Sequence, residues 1–131
     1  MGYRSDVAYV IRFNTVEERD AFVEVVKHRN DDMTQALLEC ETEYERQIIT
    51  FEVTDVKWYS DYKDVKAHHA MLDWAVELFD GAGYRIIMLG EDGQEECNQD
   101  GNTDDLYDYL YTSHSLNTEF PRLKSTTTTE E

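Results

Sequence analysis

The twenty residues from Leu89 to Asp108, LGEDGQEECNQDGNTDDLYD, carry eight carboxylates and not one Lys or Arg. The carboxylates are Glu91, Asp92, Glu95, Glu96, Asp100, Asp104, Asp105 and Asp108. The run free of Lys and Arg is wider still and extends from Arg85 to Arg122. Over the whole chain 29 acids oppose 12 bases, a net charge of -17. Like charge at that density repels itself and opposes compaction, so a single-signed field of this size needs a reason. It argues against direct binding of nucleic acid or of an anionic membrane. It points to a basic partner, bound metal ions or a salty environment.

The chain can nevertheless fold. Its 131 residues suffice for one domain with a single core. At 40% hydrophobic residues it is too apolar for a wholly disordered acidic chain. No window approaches the ~18 apolar residues of a membrane span. The opening MGYRSDVAYV lacks the charged and then long apolar regions of a secretory signal. Cys40 and Cys97 belong to no CxxC pattern and read as free thiols in a reducing cytoplasm.

Hydrophobic periodicity gives the elements. Val7, Tyr9, Ile11 and Phe13 alternate as one face of a first strand, with Val10 adding apolar weight to the other. Thr15-Val16-Glu17-Glu18 is a capping box, and the helix it opens runs to about Arg29 with Phe22, Val23, Val25 and Val26 inward. Asn30-Asp31-Asp32 is a break and a second candidate cap. Residues 33–46 fit a helix at their start. Leu38, Cys40, Thr42 and Tyr44 also alternate with Glu39, Glu41, Glu43 and Glu45, so the end stays open between helix and strand. Gln47 to Tyr59 is rich in β-branched and aromatic residues and reads as a strand.

A second long helix spans about Asp64 to Asp80. Val65, His69, Leu72, Val76 and Phe79 form its stripe, widened by Met71, Ala75 and Leu78, and Gly81 and Gly83 end it. Tyr84–Leu89 is a third strand and Gln94–Asn98 its returning partner. Leu106–Tyr111 reads as a further strand with Tyr107, Tyr109 and Tyr111 on one face. The expectation is a single α+β domain over residues 1–120: an open, mostly antiparallel sheet of about four strands with two helices packed on one face. Residues 121–131, ending SerThrThrThrThrGluGlu, read as a disordered polar tail.

No constellation names a reaction. Asp100, Asn102, Asp104 and Asp108 take positions 1, 3, 5 and 9 of a calcium loop, but Asp105 replaces its glycine and Tyr111 its closing Glu. The segment reads as a solvated acidic turn. His68, His69 and Asp73 lack the third or fourth ligand that zinc needs. His69 is expected at the core boundary and His68 in solvent. Ser60, Ser113 and Ser115, with His114 nearby, have no nucleophile elbow around them. Gly81-Ala82-Gly83 ends a helix where a phosphate cradle would open one. No catalytic residue, metal or cofactor is expected. Trp58, Tyr59 and Tyr62 group at a strand–helix junction, where they serve core packing or anchor an interface.

Three segments carry a resemblance. The opening MGYRSDV, the run DVKWYSDYKDV and the later YRIIMLGED occur here in that order. In this the chain resembles a group of small acidic proteins encoded by tailed bacteriophages, over roughly residues 1–110. The resemblance implies a phage origin and expression in the cytoplasm of the bacterial host. It implies no reaction.

Magnitude then gives the acidic stretch a role. A compact chain of this length is about 35 Å across, and seventeen net charges over that length match the line charge of duplex DNA within about a factor of two. The expected function is a non-enzymatic DNA mimic that inhibits a host DNA-binding protein, its carboxylates standing where phosphates would. The eight carboxylates above form the binding row, Glu39, Glu41, Glu43 and Glu45 a second row, and Trp58 and Tyr107 anchors beside them. Similarity to acidic phage inhibitors of gyrase puts that topoisomerase first among targets, before restriction or CRISPR effectors, nucleoid proteins and RNA polymerase. A homodimer would lengthen the charge track. The alternative is an adaptor that grips a basic protein surface through its aromatics without competing with DNA.

Overall fold

The computed structural model describes residues 3–104, 106–112 and 116–121. It is an α+β fold around a four-stranded sheet. β1 (Ser5–Arg12) and β3 (Gly83–Gly90) are central, β2 (Ile48–Val56) and β4 (Glu95–Gly101) form the edges, and every neighbour is antiparallel. α1 (Val16–Arg29), α2 (Asp32–Leu38) and α3 (Lys63–Leu78) cover one face. A 3-10 turn at Leu106–Asp108 and a small hairpin, β5 (Leu110–Thr112) with β6 (Leu116–Thr118), cover part of the other.

Two covered faces follow from β1 itself. Val7, Tyr9 and Ile11 enter the helix-side core, while Ala8 and Val10 enter clusters under the hairpin. All five are fully buried. A strand apolar on both sides must be central and covered twice. The expected single helix layer is therefore only half of the arrangement. Leu106 and Leu110 are fully buried against Val10, Ile48, Ala8 and Ile87.

The caps form largely as their residues suggest. Thr15 Oγ1 accepts from the Glu18 amide at 3.1 Å, and Glu18 reaches back to the Asn14 amide at 3.4 Å. Asn30 ends α1 in the left-handed region, φ 53°. Asp31 and Thr34 then exchange side-chain and backbone bonds to open α2. α2 makes a third helix and resolves the start of the ambiguous stretch. Glu39 to Gln47 form no regular strand; a single bridge joins Glu41 to Thr50 on the outer side of β2.

Several expectations need correction. Val25 and Leu78 are 42% and 45% exposed, because the stripes pass through Arg19, Phe22, Val23 and Val26 on α1 and Val65, His68, Met71, Leu72 and Ala75 on α3. Leu106–Tyr111 is no continuous strand, since its first residues wind into the 3-10 turn that drops Leu106 inward. Tyr107 and Tyr111 stack at 5.6 Å, but Tyr109 turns away to pack with the buried clusters. The strand from Gln47 ends at Val56, short of Trp58. The residues of the expected tail beyond Pro121 lie outside those described.

Candidate functional site

β4 is exposed at all seven of its positions. It carries Glu95, Glu96 and Asp100, with Glu91 and Asp92 at the turn before it and Asp104 and Asp108 after it. Asp105 lies outside the described residues. Opposed residues in an antiparallel pair point to the same face. Glu96, Asn98 and Asp100 stand opposite Met88, Ile86 and Tyr84 on the helix face, whereas Glu95, Cys97 and Gln99 stand opposite Leu89, Ile87 and Arg85 on the hairpin face. The acidic residues thus form a double-sided ribbon and not one flat patch.

The turn's carboxylates have a structural task. Tyr3 donates its phenol proton to Asp92, the Arg4 amide donates to Glu91 at 2.5 Å, and the Tyr3 amide donates to the Tyr59 hydroxyl at 2.6 Å. Gly90 makes room for this: a Cβ there would fall 1.5 Å from the Tyr3 hydroxyl. The Tyr3 hydrogen bond holds Asp92 below the ordinary carboxylate range and raises Tyr3 in turn. The segments containing YR, VKWY and GED, far apart in sequence, therefore meet at one corner of the sheet.

Cations reach the hairpin side of the ribbon in three dimensions. Arg85 donates to the Leu110 carbonyl at 2.9 Å and to Gln99 at 2.8 Å, and its guanidinium lies 5.2 Å from the Tyr107 ring centre. Arg46 donates to the Tyr109 hydroxyl at 3.2 Å in a cleft shared with Asp108 and Glu119. Tyr107 is 61% exposed.

The second acidic row is not assembled beside the first. Glu39, Glu41, Glu43 and Glu45 are exposed but lie on the β2 side, across the sheet from β4. Trp58 is half-buried between Phe51 and His68, with ring centres 5.8 and 5.3 Å away, so it is first a packing residue. Its other side opens on a groove of about 800 Å³ between α3 and β4. Tyr59, Met88, His69, Asp73 and Glu96 help to line it.

No protein-family model, curated protein or solved structure matches the chain.

One constellation is not legible in the sequence. His68, expected in solvent, is buried. Its Nδ1 lies 2.7 Å from the Tyr9 hydroxyl and its Nε2 2.9 Å from Glu39 Oε1, while Cys40 Sγ is 3.1 Å from the same hydroxyl. Beside the Glu39 carboxylate one assignment suits the imidazole: Nε2–H donates to Glu39 and Tyr9 donates to Nδ1, while the Cys40 thiol has the phenol oxygen and the Ala36 carbonyl, at 3.4 Å, as acceptors. The Cys40 thiol is pushed up to about 12, chiefly by burial, and Tyr9 stands between it and the imidazole. A thiol held protonated is no nucleophile. The group works as a polar pin through the core.

Two predictions arise here. Cys97 is exposed and Cys40 is not, so a maleimide labels one thiol in the native protein and both after denaturation; native labelling of Cys40 at the same rate contradicts the buried pin. The second concerns pH. Burial lowers His68, with Glu39 offsetting part of the shift, and lowers His69 likewise. The unfolded imidazole takes its proton near ~6.5 while the folded one resists until lower pH. Stability is therefore complete above that value and falls as pH drops from about 7 towards 5. Denaturant midpoints across that range show the slope, and His68→Gln flattens it; an unchanged slope contradicts the burial of His68.

Among the described residues, no three His, Cys, Asp or Glu side chains converge to hold a metal ion. No described helix is long and apolar enough to cross a membrane.

Proposed function

We propose that the protein is a non-enzymatic DNA mimic of phage origin that acts in the bacterial cytoplasm by occupying the DNA-binding surface of a host protein. The β3–β4 ribbon carries this reading. Glu95, Glu96 and Asp100 spread over about 17 Å at the usual rise of a strand. That is roughly one charge per 6 Å, about half the line charge of a single DNA strand, and Glu91, Asp92 and Asp104 extend it at both ends. A solvated ribbon presenting carboxylates on both faces can enter a groove lined with Lys and Arg and meet its two walls.

Beads bearing the protein, incubated in bacterial lysate and eluted with duplex DNA, test this. The expected eluate is a DNA-handling enzyme that high salt also releases, with gyrase the first target to look for. A retained protein that ignores both DNA and salt favours the second reading, an adaptor anchored by Trp58 and Tyr59. The groove they line supports that alternative.

A further inference from the structure

Among the described residues, the outer side of β4 is a sheet edge with backbone groups left to pair. The amide of Gly90 donates to Gln94 at 2.8 Å and that of Asn102 to Ala82 at 3.0 Å, fixing the rungs at the two ends of the β3–β4 ladder. Rungs fall on alternate residues of an antiparallel pair. Glu96, Asn98 and Asp100 therefore turn their backbone groups towards β3, and Cys97 and Gln99 turn theirs away from the sheet. The next outward amide, Gly101, is satisfied by Asp100 Oδ1 at 2.8 Å. The open length thus ends at Gly101, with Cys97 and Gln99 at its centre.

Such an edge accepts an extended segment as a further strand. Charge selects which one. A second copy of this chain would bring another net charge of -17 against the first. A segment rich in Lys or Arg would meet Glu95 on one face and Glu96 and Asp100 on the other. On the helix face its side chains would pass over the groove between α3 and β4. Among the described residues, Asp61, Asp73 and Glu96 line that groove against one cation, Lys66, with Trp58 and Tyr59 offering aromatic surface to a cation.

We infer that an extended, Lys- or Arg-rich segment of the partner adds to β4 as a fifth strand and lays a cationic side chain in this groove. The inference rests on the reading of a basic partner and specifies how that partner is held.

The probe is a capped ten-residue peptide of alternating Lys and Val, with a Glu–Val peptide as control. Amide exchange of the isotope-labelled protein is followed by NMR. The Lys–Val peptide is expected to slow exchange at Cys97 and Gln99 by about tenfold or more, the effect of two newly paired amides. The Glu–Val peptide leaves both unchanged. Cys97→Pro removes an outward donor and spares the inward rungs, as proline does on an edge strand, and weakens peptide binding. If that variant fails to fold, protection in the unsubstituted protein decides. Binding of the Lys–Val peptide without protection at Cys97 and Gln99, or no binding at all, overturns strand addition. Either result leaves displacement by duplex DNA as a separate readout of the mimic. Conversely, protection of both amides in a protein whose partner ignores DNA keeps the strand site and removes the mimicry.

Discussion

Arg19→Ala costs the protein about 3–5 kcal/mol of stability. Arg19 is 1% exposed, on the inward stripe of α1. Its Nη1 donates to the carbonyls of Tyr44 and Arg46, at 2.6 and 2.7 Å, and its Nε and Nη2 hold Asp20. The first two bonds fasten the segment after α2 to α1. That segment places Tyr44 under the hairpin, where its hydroxyl meets Thr50 at 2.6 Å. Truncation leaves two carbonyls without their donor and opens a cavity where the stem lay. Arg19→Met keeps much of the stem and recovers part of the loss. Urea unfolding of both variants measures this, and a cost under about 1 kcal/mol for Arg19→Ala would contradict the anchoring role.

The second large effect is on binding. Neutralising Glu95, Glu96, Asp100 and Asp104 together, as Gln and Asn, is expected to weaken the partner complex by about 2–4 kcal/mol at low salt, taking ~0.5–1 kcal/mol for each exposed charge. That is roughly 30-fold to 1,000-fold in Kd. The variant folds as before, because β4 is exposed throughout and its ladder to β3 is made by the backbone. The dependence of affinity on salt becomes shallower in the same variant. Trp58→Phe is the counterpart: under the mimic reading it costs less than the four carboxylates together, and under the adaptor reading it costs more. Calorimetric titrations of the captured partner at two salt concentrations separate the two.

Much of the fold was legible in the sequence because periodicity reports burial directly. Val7, Tyr9, Ile11 and Phe13 marked the helix-side face of β1, and Val10 was already a sign of the second layer. What could not be read was which segment covered that second face. Leu106 and Leu110 sit among acids and tyrosines, and four residues apart they fit one face of a strand or a helical turn equally well. Only the sheet's need for cover explains the 3-10 turn. His68 and His69 show a different limit. Both lie within the apolar run of α3, and a stripe through residue 65 can pass through either at a period of 3.6. The Tyr9 hydroxyl, 59 residues away, supplies the partner that His68 takes into the core. Arg19 lies at the spacing of Phe22, Val23 and Val26, so its position on the buried face was visible. Its charge hid it, since arginine enters a core only where carbonyls wait for it.

The candidate site was half legible. The density of carboxylates after Leu89 marks the ribbon as surface, because so much charge is not taken into a core. Sequence spacing could not show that Glu91 and Asp92 hold Tyr3 and Arg4. Nor could it show that Glu39 to Glu45 lie on the opposite side of the sheet, or that Arg85 and Arg46 fold into a stretch free of Lys and Arg. These are consequences of strand order, β2-β1-β3-β4, which separates the two acidic rows by the width of the sheet.

The most direct test of the acidic ribbon as a DNA mimic is an equilibrium competition. A fluorescent duplex is bound to the purified partner and the protein is titrated in while anisotropy is read. The duplex is expected to be released completely and stoichiometrically at low salt, and the variant neutralised at Glu95, Glu96, Asp100 and Asp104 to release it only at concentrations raised by its loss of affinity. A ternary complex that keeps its duplex at saturating protein would contradict the mimicry.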